Sequence, residues 1–325
     1  MGMYRVDQAK YLLEVIRNIR EDELNELYLS AVNENPWFTK ENVSAAFEGI
    51  VRMMDNGALD KWVSAYDEIV SPKKVGLVLA GNIPMVGFHD LLSVYISGHT
   101  PLVKLSSQDS ALMKFIISTL NEVGNSAIEL VERLSGFDAV IATGSNNTSR
   151  YFEHYFSKYP HVIRKNRTSI AVLNGDEDDK TLTALGKDVF SYFGLGCRNV
   201  SHMLIPENYD ISRLAPCWTI YQDVINHHKY ANNYDHNKSL YLINLAEHLD
   251  FGFLLVRRSE QPFSPISVLS YASYSSAKEL DEIIGRYGDS IQCIVGKEMA
   301  PGEAQTPTLL DYADGIDTMK FLREI

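Results

Sequence analysis

Cysteine is scarce in this chain: Cys197, Cys217 and Cys293 are all there is, far apart and with no CxxC pair. An odd, sparse set argues against a disulfide framework and for a reducing compartment. It also offers no structural zinc site. Long apolar runs are missing as well. No stretch reaches the roughly 18 apolar residues of a membrane helix, and the first twenty residues lack the continuous apolar core of a signal peptide. Positive charge is in short supply: 30 Lys and Arg stand against 42 Asp and Glu, a formal net charge of −12. No long basic run offsets it, and such a balance repels nucleic acid and anionic membranes. There is no GxGxxG fingerprint, no internal repeat and no low-complexity tract. The expectation is a globular, cytoplasmic protein with neither a nucleic-acid partner nor membrane insertion. His227, His228 and His236 lie on a polar segment without the convergence a metal needs, so no metal site is expected.

What the chain does have is alternation. Residues 1–70 read as helical, with Tyr11, Leu12, Val15 and Ile16 at helical spacing and a break at Asn35-Pro36. From Lys74 onward, short apolar runs at 75–80, 101–105 and 137–143 read as strands. Helical stretches follow them at about 84–96, 110–123 and 146–157. A second series starts near Thr168, with strands expected at 169–173, 200–205, 251–256, 266–271 and 291–295 and helices at 180–192 and 277–287. Residues 226–237 (NHHKYANNYDHN) read as a polar surface loop. Strands alternating with helices indicate an α/β protein with parallel sheets and crossover helices. Such sheets bind ligands beyond the carboxyl ends of their strands. Three turns fall at those ends: Gly81-Asn82, Ser106-Ser107 and Gly144-Ser145.

Each turn holds groups with chemical capacity and each has a plainer alternative. The Asn82 amide could donate to a developing oxyanion, or simply favour a turn. Lys104, Ser106 and Ser107 offer a cation and hydroxyls for a ribose or phosphate, or a solvated strand end. Thr143, Gly144 and Ser145 open a helix whose backbone N–H groups could hold a phosphate, while Ser145 or Asn146 could serve as its N-cap. Cys197 lies in Gly194-Leu195-Gly196-Cys197-Arg198-Asn199. Two glycines allow a tight turn that exposes the thiol, and the neighbouring Arg198 would favour the thiolate. The alternative is a buried structural cysteine after a helix.

In order, strand–GNIP–helix, strand–KLSS–helix, strand–TGS–helix and GLGCRN resemble the aldehyde dehydrogenase superfamily. Within it they resemble the acyl-CoA reductase branch, which includes the fatty acid reductase subunit of bacterial luminescence systems. Residues 81–99 (GNIPMVGFHDLLSVYISGH), 142–150 and 311–322 (DYADGIDTMKFL) carry that closer likeness, which runs from about Val75 to the C-terminus. The resemblance implies an aldehyde dehydrogenase-like fold of two α/β domains, one of them Rossmann-like, behind an N-terminal helical section. It implies a cofactor domain over 1–166, a catalytic domain over 167–295, and a tail, 296–325, packing back on the cofactor domain. It assigns Asn82 to the oxyanion hole, Lys104 to the adenosine ribose, Ser145 to the cofactor phosphates and Cys197 to the nucleophile. The family's E-x-F-G-P glutamate, which meets the nicotinamide ribose, falls by strict spacing on Gln261, with Glu260 one residue early.

Two departures from the family pattern refine the expectation. Aldehyde-oxidising members carry a water-activating glutamate before the strand that opens the catalytic domain. Here residues 163–167 (IRKNR) hold no carboxylate, so hydrolysis of an acyl-enzyme should be slow. Members that prefer NAD often place a glutamate three residues after the ribose-binding lysine, and here that residue is Ser107, which would tolerate a 2′-phosphate. The expected reaction is reduction of an acyl-CoA, or acyl carrier protein, thioester to an aldehyde through a Cys197 acyl-enzyme. NADPH is the expected cofactor, with NADH as the alternative. The rival readings are the oxidative direction and a non-catalytic acyl-binding partner. A homo-oligomer or a complex with an acyl-transfer partner fits the branch.

Overall fold

The computed structural model describes residues 2–67, 69, 71–122 and 128–325. In chain order the first elements are α1 (Gly2–Arg17), α2 (Glu21–Glu34), α3 (Lys40–Met54), α4 (Ala58–Ser64), β1 (Lys74–Val78), α5 (Phe88–Ser97), β2 (Thr100–Lys104) and α6 (Ser110–Glu122). Then come β3 (Glu129–Leu130), β4 (Ala139–Thr143), α7 (Asn146–Phe156), β5 (His161–Arg164), β6 (Thr168–Val172), α8 (Asp179–Phe190), β7 (Val200–Pro206) and α9 (Leu214–Trp218). The last are α10 (His228–Ile243), β8 (Leu249–Asp250), β9 (Leu255–Arg258), β10 (Val268–Tyr274), α11 (Ala277–Tyr287), β11 (Ile291–Val295) and α12 (Thr318–Glu324). Met1 and Val123, which bound two expected helices, lie outside the described residues. Among the described residues no helix is long and apolar enough to cross a membrane.

The chain forms two units. The first takes the residues up to Asn166 together with Thr306–Ile325, and the second is Arg167–Gln305. In the first, five parallel strands run in the order β3-β2-β1-β4-β5. Val75, Leu77, Leu102, Val103, Val140 and Ile141 are buried. Strands with both faces covered by helices need such near-continuous apolar runs. β1 pairs with β2 on one side and β4 on the other, so the winding direction reverses between β1 and β4. That reversal opens the crevice in which doubly wound sheets hold ligands. The second unit has a six-stranded sheet, β11-β6-β7-β10-β9-β8, parallel except for the antiparallel edge pair β8–β9. Its core gathers Met203, Leu269, Val295, Leu185 and Trp218.

The C-terminal segment is tied into the first unit by polar bonds. Arg164, at the end of β5, makes a two-point ion pair with buried Asp90 (2.9 and 2.7 Å). It also donates to Ala313 O (2.5 Å) and Thr318 Oγ1 (2.8 Å). Trp62 Nε1 donates to Tyr312 Oη (2.7 Å), and His89 Nε2 contacts Leu309 O (3.0 Å). Residues 296–305 lie in the second unit instead.

The expected loop at 226–237 is a helix. α10 buries Tyr230, Tyr234, Asn237 and Tyr241 along one stripe. Tyr230 Oη donates to Phe253 O (3.0 Å) and Tyr234 Oη bonds Asp250. The polar reading failed because this helix meets the protein through tyrosines, whose rings bury while their hydroxyls find acceptors. Elsewhere the expected elements shift by a few residues: α5 begins at Phe88, after a turn over 84–87, and β10 runs from Val268 to Tyr274.

Candidate active site

In the first unit, three expected turns share one edge. Val78, which ends β1, pairs with Lys104 at the end of β2 and with Ala142 near the end of β4. The Gly81-Asn82, Lys104–Ser107 and Thr143–Ser145 segments therefore leave the sheet side by side. Gly81 is needed for this closeness, because a Cβ there would lie 2.7 Å from Ser106 Oγ. Lys104 and Ser107 are exposed, while Ser106 and Asn82 are half-buried. Ser145 Oγ accepts from Thr148 N (3.3 Å) and so caps α7. The capping alternative is thus observed, and it leaves the amide-rich end of that helix facing the edge where β4 stops.

The Gly81–Met85 turn is anchored at both ends. Asn35, from the break after α2, donates through Nδ2 to Gly81 O (3.0 Å). Buried Asp109 accepts from Met85 N through Oδ2 (2.7 Å). Met85 needs such a hold, since its φ of 53° is a left-handed conformation rare for a residue with a side chain. Burial, assisted by the negative charge of Glu34, pushes the Asp109 carboxyl up to about 8 against the opposing pull of the Met85 N–H.

In the second unit, Cys197 follows a strained corner. Tyr192 (φ 51, ψ 29), Phe193 (φ 57, ψ 24) and Gly194 (φ 78) are three left-handed residues in a row. Two of them carry large side chains, each costing about 1–3 kcal/mol that the surroundings must repay. The Phe193 ring packs on His227 at 4.5 Å, and Leu195 N donates to Tyr192 O (3.1 Å). Asn199 supplies the rest. Its Oδ1 accepts from Gly196 N (2.8 Å), and its Nδ2 donates to Asp188 O (3.0 Å) and Ser191 O (2.8 Å). Ser169 Oγ bonds Cys197 O (3.0 Å). The backbone around the thiol is therefore pinned on both sides.

None of the three cysteines is cross-linked, and they differ in access. Cys197 is half-buried, whereas Cys217 and Cys293 are buried, with thiols pushed up by burial. The structural-cysteine alternative fits those two better than Cys197. Arg198 has partners beyond its sequence neighbours. Its guanidinium donates from Nε to Ala304 O (2.5 Å), and its charge acts on Cys293 and Asp188. Asp188 takes the N–H groups of Gly302 (2.6 Å) and Ala304 (3.0 Å).

Glu260 and Gln261 are exposed and follow β9. Their turn bends back to the amino-terminal end of β7, where Ser201 Oγ donates to Pro262 O (2.7 Å) and Ser264 Oγ to Ser201 O (2.9 Å). Thr168 Oγ1 in turn contacts Ser201 Oγ (2.6 Å), one residue from the Ser169 that holds Cys197. The second unit thus brings the Cys197 loop and the Glu260–Gln261 turn to one end of its sheet. Sequence reading missed Asn35, Asp109, Ser169, Asp188 and Asn199 as supports. Asn199, two residues past the cysteine in a glycine loop, had the clearest signal, since Asn side chains habitually bond nearby backbone.

The family model described as Acyl-CoA reductase (LuxC) matches residues 5–208. No curated protein matches the chain in sequence. Among solved structures, the chain is similar to an aldehyde dehydrogenase from Bacillus cereus in an NAD+ complex, with a TM-score of 0.63 and 14% identity, covering 87% of this chain and 69% of that one. Aldehyde dehydrogenase 21 from Physcomitrella patens, solved with the product succinate, gives 0.64 and 12%, covering 87% and 71%. Lactaldehyde dehydrogenase from Escherichia coli gives 0.61 and 13%, covering 86% and 71%. At such identities the likeness is one of fold.

Proposed function

The chain belongs to the acyl-CoA reductase (LuxC) family and has the aldehyde dehydrogenase fold, which makes it an oxidoreductase of aldehyde or acyl groups; from that premise we propose that it reduces an acyl thioester to an aldehyde with NADPH. The observation that carries the reading is the presentation of Cys197: a half-buried thiol on a loop whose strain and pinning would serve no purpose for a structural cysteine.

The Cys197 thiolate attacks the thioester carbonyl. Its own backbone N–H and, by resemblance, the Asn82 amide donate to the oxyanion that forms. The bond from carbonyl carbon to CoA sulfur breaks, CoA leaves and takes a proton, and an acyl-enzyme remains on Cys197. NADPH, when bound, supplies the hydride that reduces this acyl group. With a proton the product is a thiohemiacetal, which collapses by breaking its bond to Cys197 and releases the aldehyde. The donor set at the first unit's strand edge suits the cofactor chemically. Lys104 and the hydroxyls of Ser106 and Ser107 match a ribose and its phosphate, and the amino end of α7 matches a pyrophosphate. Ser107 stands where NAD-preferring members often place a glutamate, which favours NADPH over NADH. Glu260 or Gln261 would meet the nicotinamide ribose.

Hydrolysis to an acid is disfavoured. Residues 163–167 carry no base, and Arg164 among them is committed to Asp90. The donor is an acyl-CoA or acyl carrier protein thioester, and a cytoplasmic protein acting as an oligomer or with an acyl-transfer partner fits the family. The test is NADPH oxidation across a panel of acyl-CoAs with aldehyde detection. Oxidation that needs both a thioester and Cys197 is expected. Acylation of Cys197 without any NADPH dependence would replace the reductase with an acyl-transferase.

A further inference from the structure

Asp109 has no part in the chemistry just described, yet it holds the turn that carries Asn82. We propose that Asp109 is a positioning residue for Asn82 and acts as a neutral carboxylic acid. The second half rests on what surrounds the carboxyl. Oδ2 takes the Met85 N–H, while Oδ1 is buried and has no hydrogen-bond partner among the described residues. Among the described residues no cation acts on it. Glu34 of α2 is the charged group facing it, and that carboxylate is already engaged at the start of α6 by Ser110 N (2.7 Å) and Ala111 N (2.9 Å). The turn it supports, Gly81 to Met85, contains no titratable side chain, and the Cβ atoms of Asp109 and Ser106 wall in Gly81. An ionised Asp109 would place a second carboxylate near Glu34 with nothing to balance it, so the group retains its proton well above the usual carboxylate range.

The first half rests on the anchoring. Asn82 stands between two fixed points, Asn35 on Gly81 O and Asp109 on Met85 N. Losing the second frees Met85 from its left-handed conformation, and the amide of Asn82 loses its aim. Ionisation at high pH does the same more gently, since the charged carboxyl must draw in water or move away from Glu34. The assignment of Asn82 to the oxyanion comes from the proposed function, so the test includes readouts that do not depend on it.

Three measurements on the full chain settle the matter. The first is melting temperature against pH for wild type and Asp109→Asn. The folded pKa is raised above the unfolded value, so the stability from the bound proton is complete below about pH 4 and lost as pH rises through about 8. Asp109→Asn should therefore gain on wild type across that window and run parallel to it above. A gap that does not change with pH overturns the neutral acid. The second is amide hydrogen exchange over residues 81–86. Protection relative to the intrinsic rate at each pH should fall in Asp109→Ala, and in wild type above about pH 8, but not in Asp109→Asn. Unchanged protection in Asp109→Ala overturns the positioning role, whether or not the protein proves to be a reductase. The third applies once reductase activity is in hand. Asp109→Ala should lower kcat about tenfold with KM nearly unchanged, and should cost little more in an Asn82→Ala background. Losses that multiply would mean that Asp109 does not act through Asn82.

Discussion

The Gly81–Met85 turn of the first unit and the Tyr192–Asn199 loop of the second are built from the same parts. Each has left-handed non-glycine backbone, an asparagine bonded to main chain, and a buried aspartate with a raised pKa. They differ in how the aspartate is satisfied. Asp188 gives both oxygens to backbone N–H groups and is pushed up only to about 6, while Asp109 has one N–H and an idle oxygen and reaches about 8. Burial sets the direction of both shifts; the N–H donors, the charges of Lys187 and Arg198 beside Asp188 and that of Glu34 beside Asp109 set how far each goes. The loop stores more strain, with three consecutive left-handed residues.

The sharpest way to break this comparison is to remove the groups it serves. Cys197→Ala should cut thioester-dependent NADPH oxidation by at least about a thousandfold with an unchanged melting temperature. Wild-type rates in that variant would leave the strained loop without a purpose. Asn82→Ala should cost roughly 100- to 1000-fold in kcat with little change in KM. A pure KM effect would instead make Asn82 a binding group. Along the same strand edge, Ser107→Glu should turn the cofactor preference toward NADH by roughly tenfold or more, read as the ratio of kcat/KM for the two cofactors. The supports come next. Asn199→Ala leaves Gly196 N and two carbonyls without their partner and should cost about 1–3 kcal/mol in chemical denaturation. The smallest but most diagnostic contrast is one substitution made twice. Asp188→Asn should destabilise by about 1–3 kcal/mol, because an amide can accept only one of the two N–H bonds and turns its NH2 on the other. Asp109→Asn should instead gain on wild type as pH rises from about 4 to about 8. The same sign at both sites would erase the distinction.

The motifs legible in the sequence were those whose parts are neighbours. Gly81-Asn82, Lys104 to Ser107 and Thr143 to Ser145 could each be read as a strand end, and the parallel sheet then puts strand ends together without further instruction. What could not be read depends on distant partners. Asp109 is unusual because the fold buries it with Glu34 beside it, and Asp188 because burial there is met by the N–H groups of residues 302 and 304. Arg198 shows the same limit, since the carbonyl it binds, Ala304 O, lies 106 residues downstream. α10 was misread for a different reason: its buried face is tyrosine, which a hydrophobic pattern undercounts.

The clasp around Arg164 has a consequence in time. Its partner Asp90 lies 74 residues upstream, but Ala313 and Thr318 lie 149 and 154 residues downstream. On a ribosome the first unit would emerge early with Arg164 bonded on one side only, and would wait for the whole second unit to be made before its last helix arrived. The second unit is continuous and carries no such delay. The unit begun first is thus the one completed last, and until then a guanidinium meant for the interior has to remain in water.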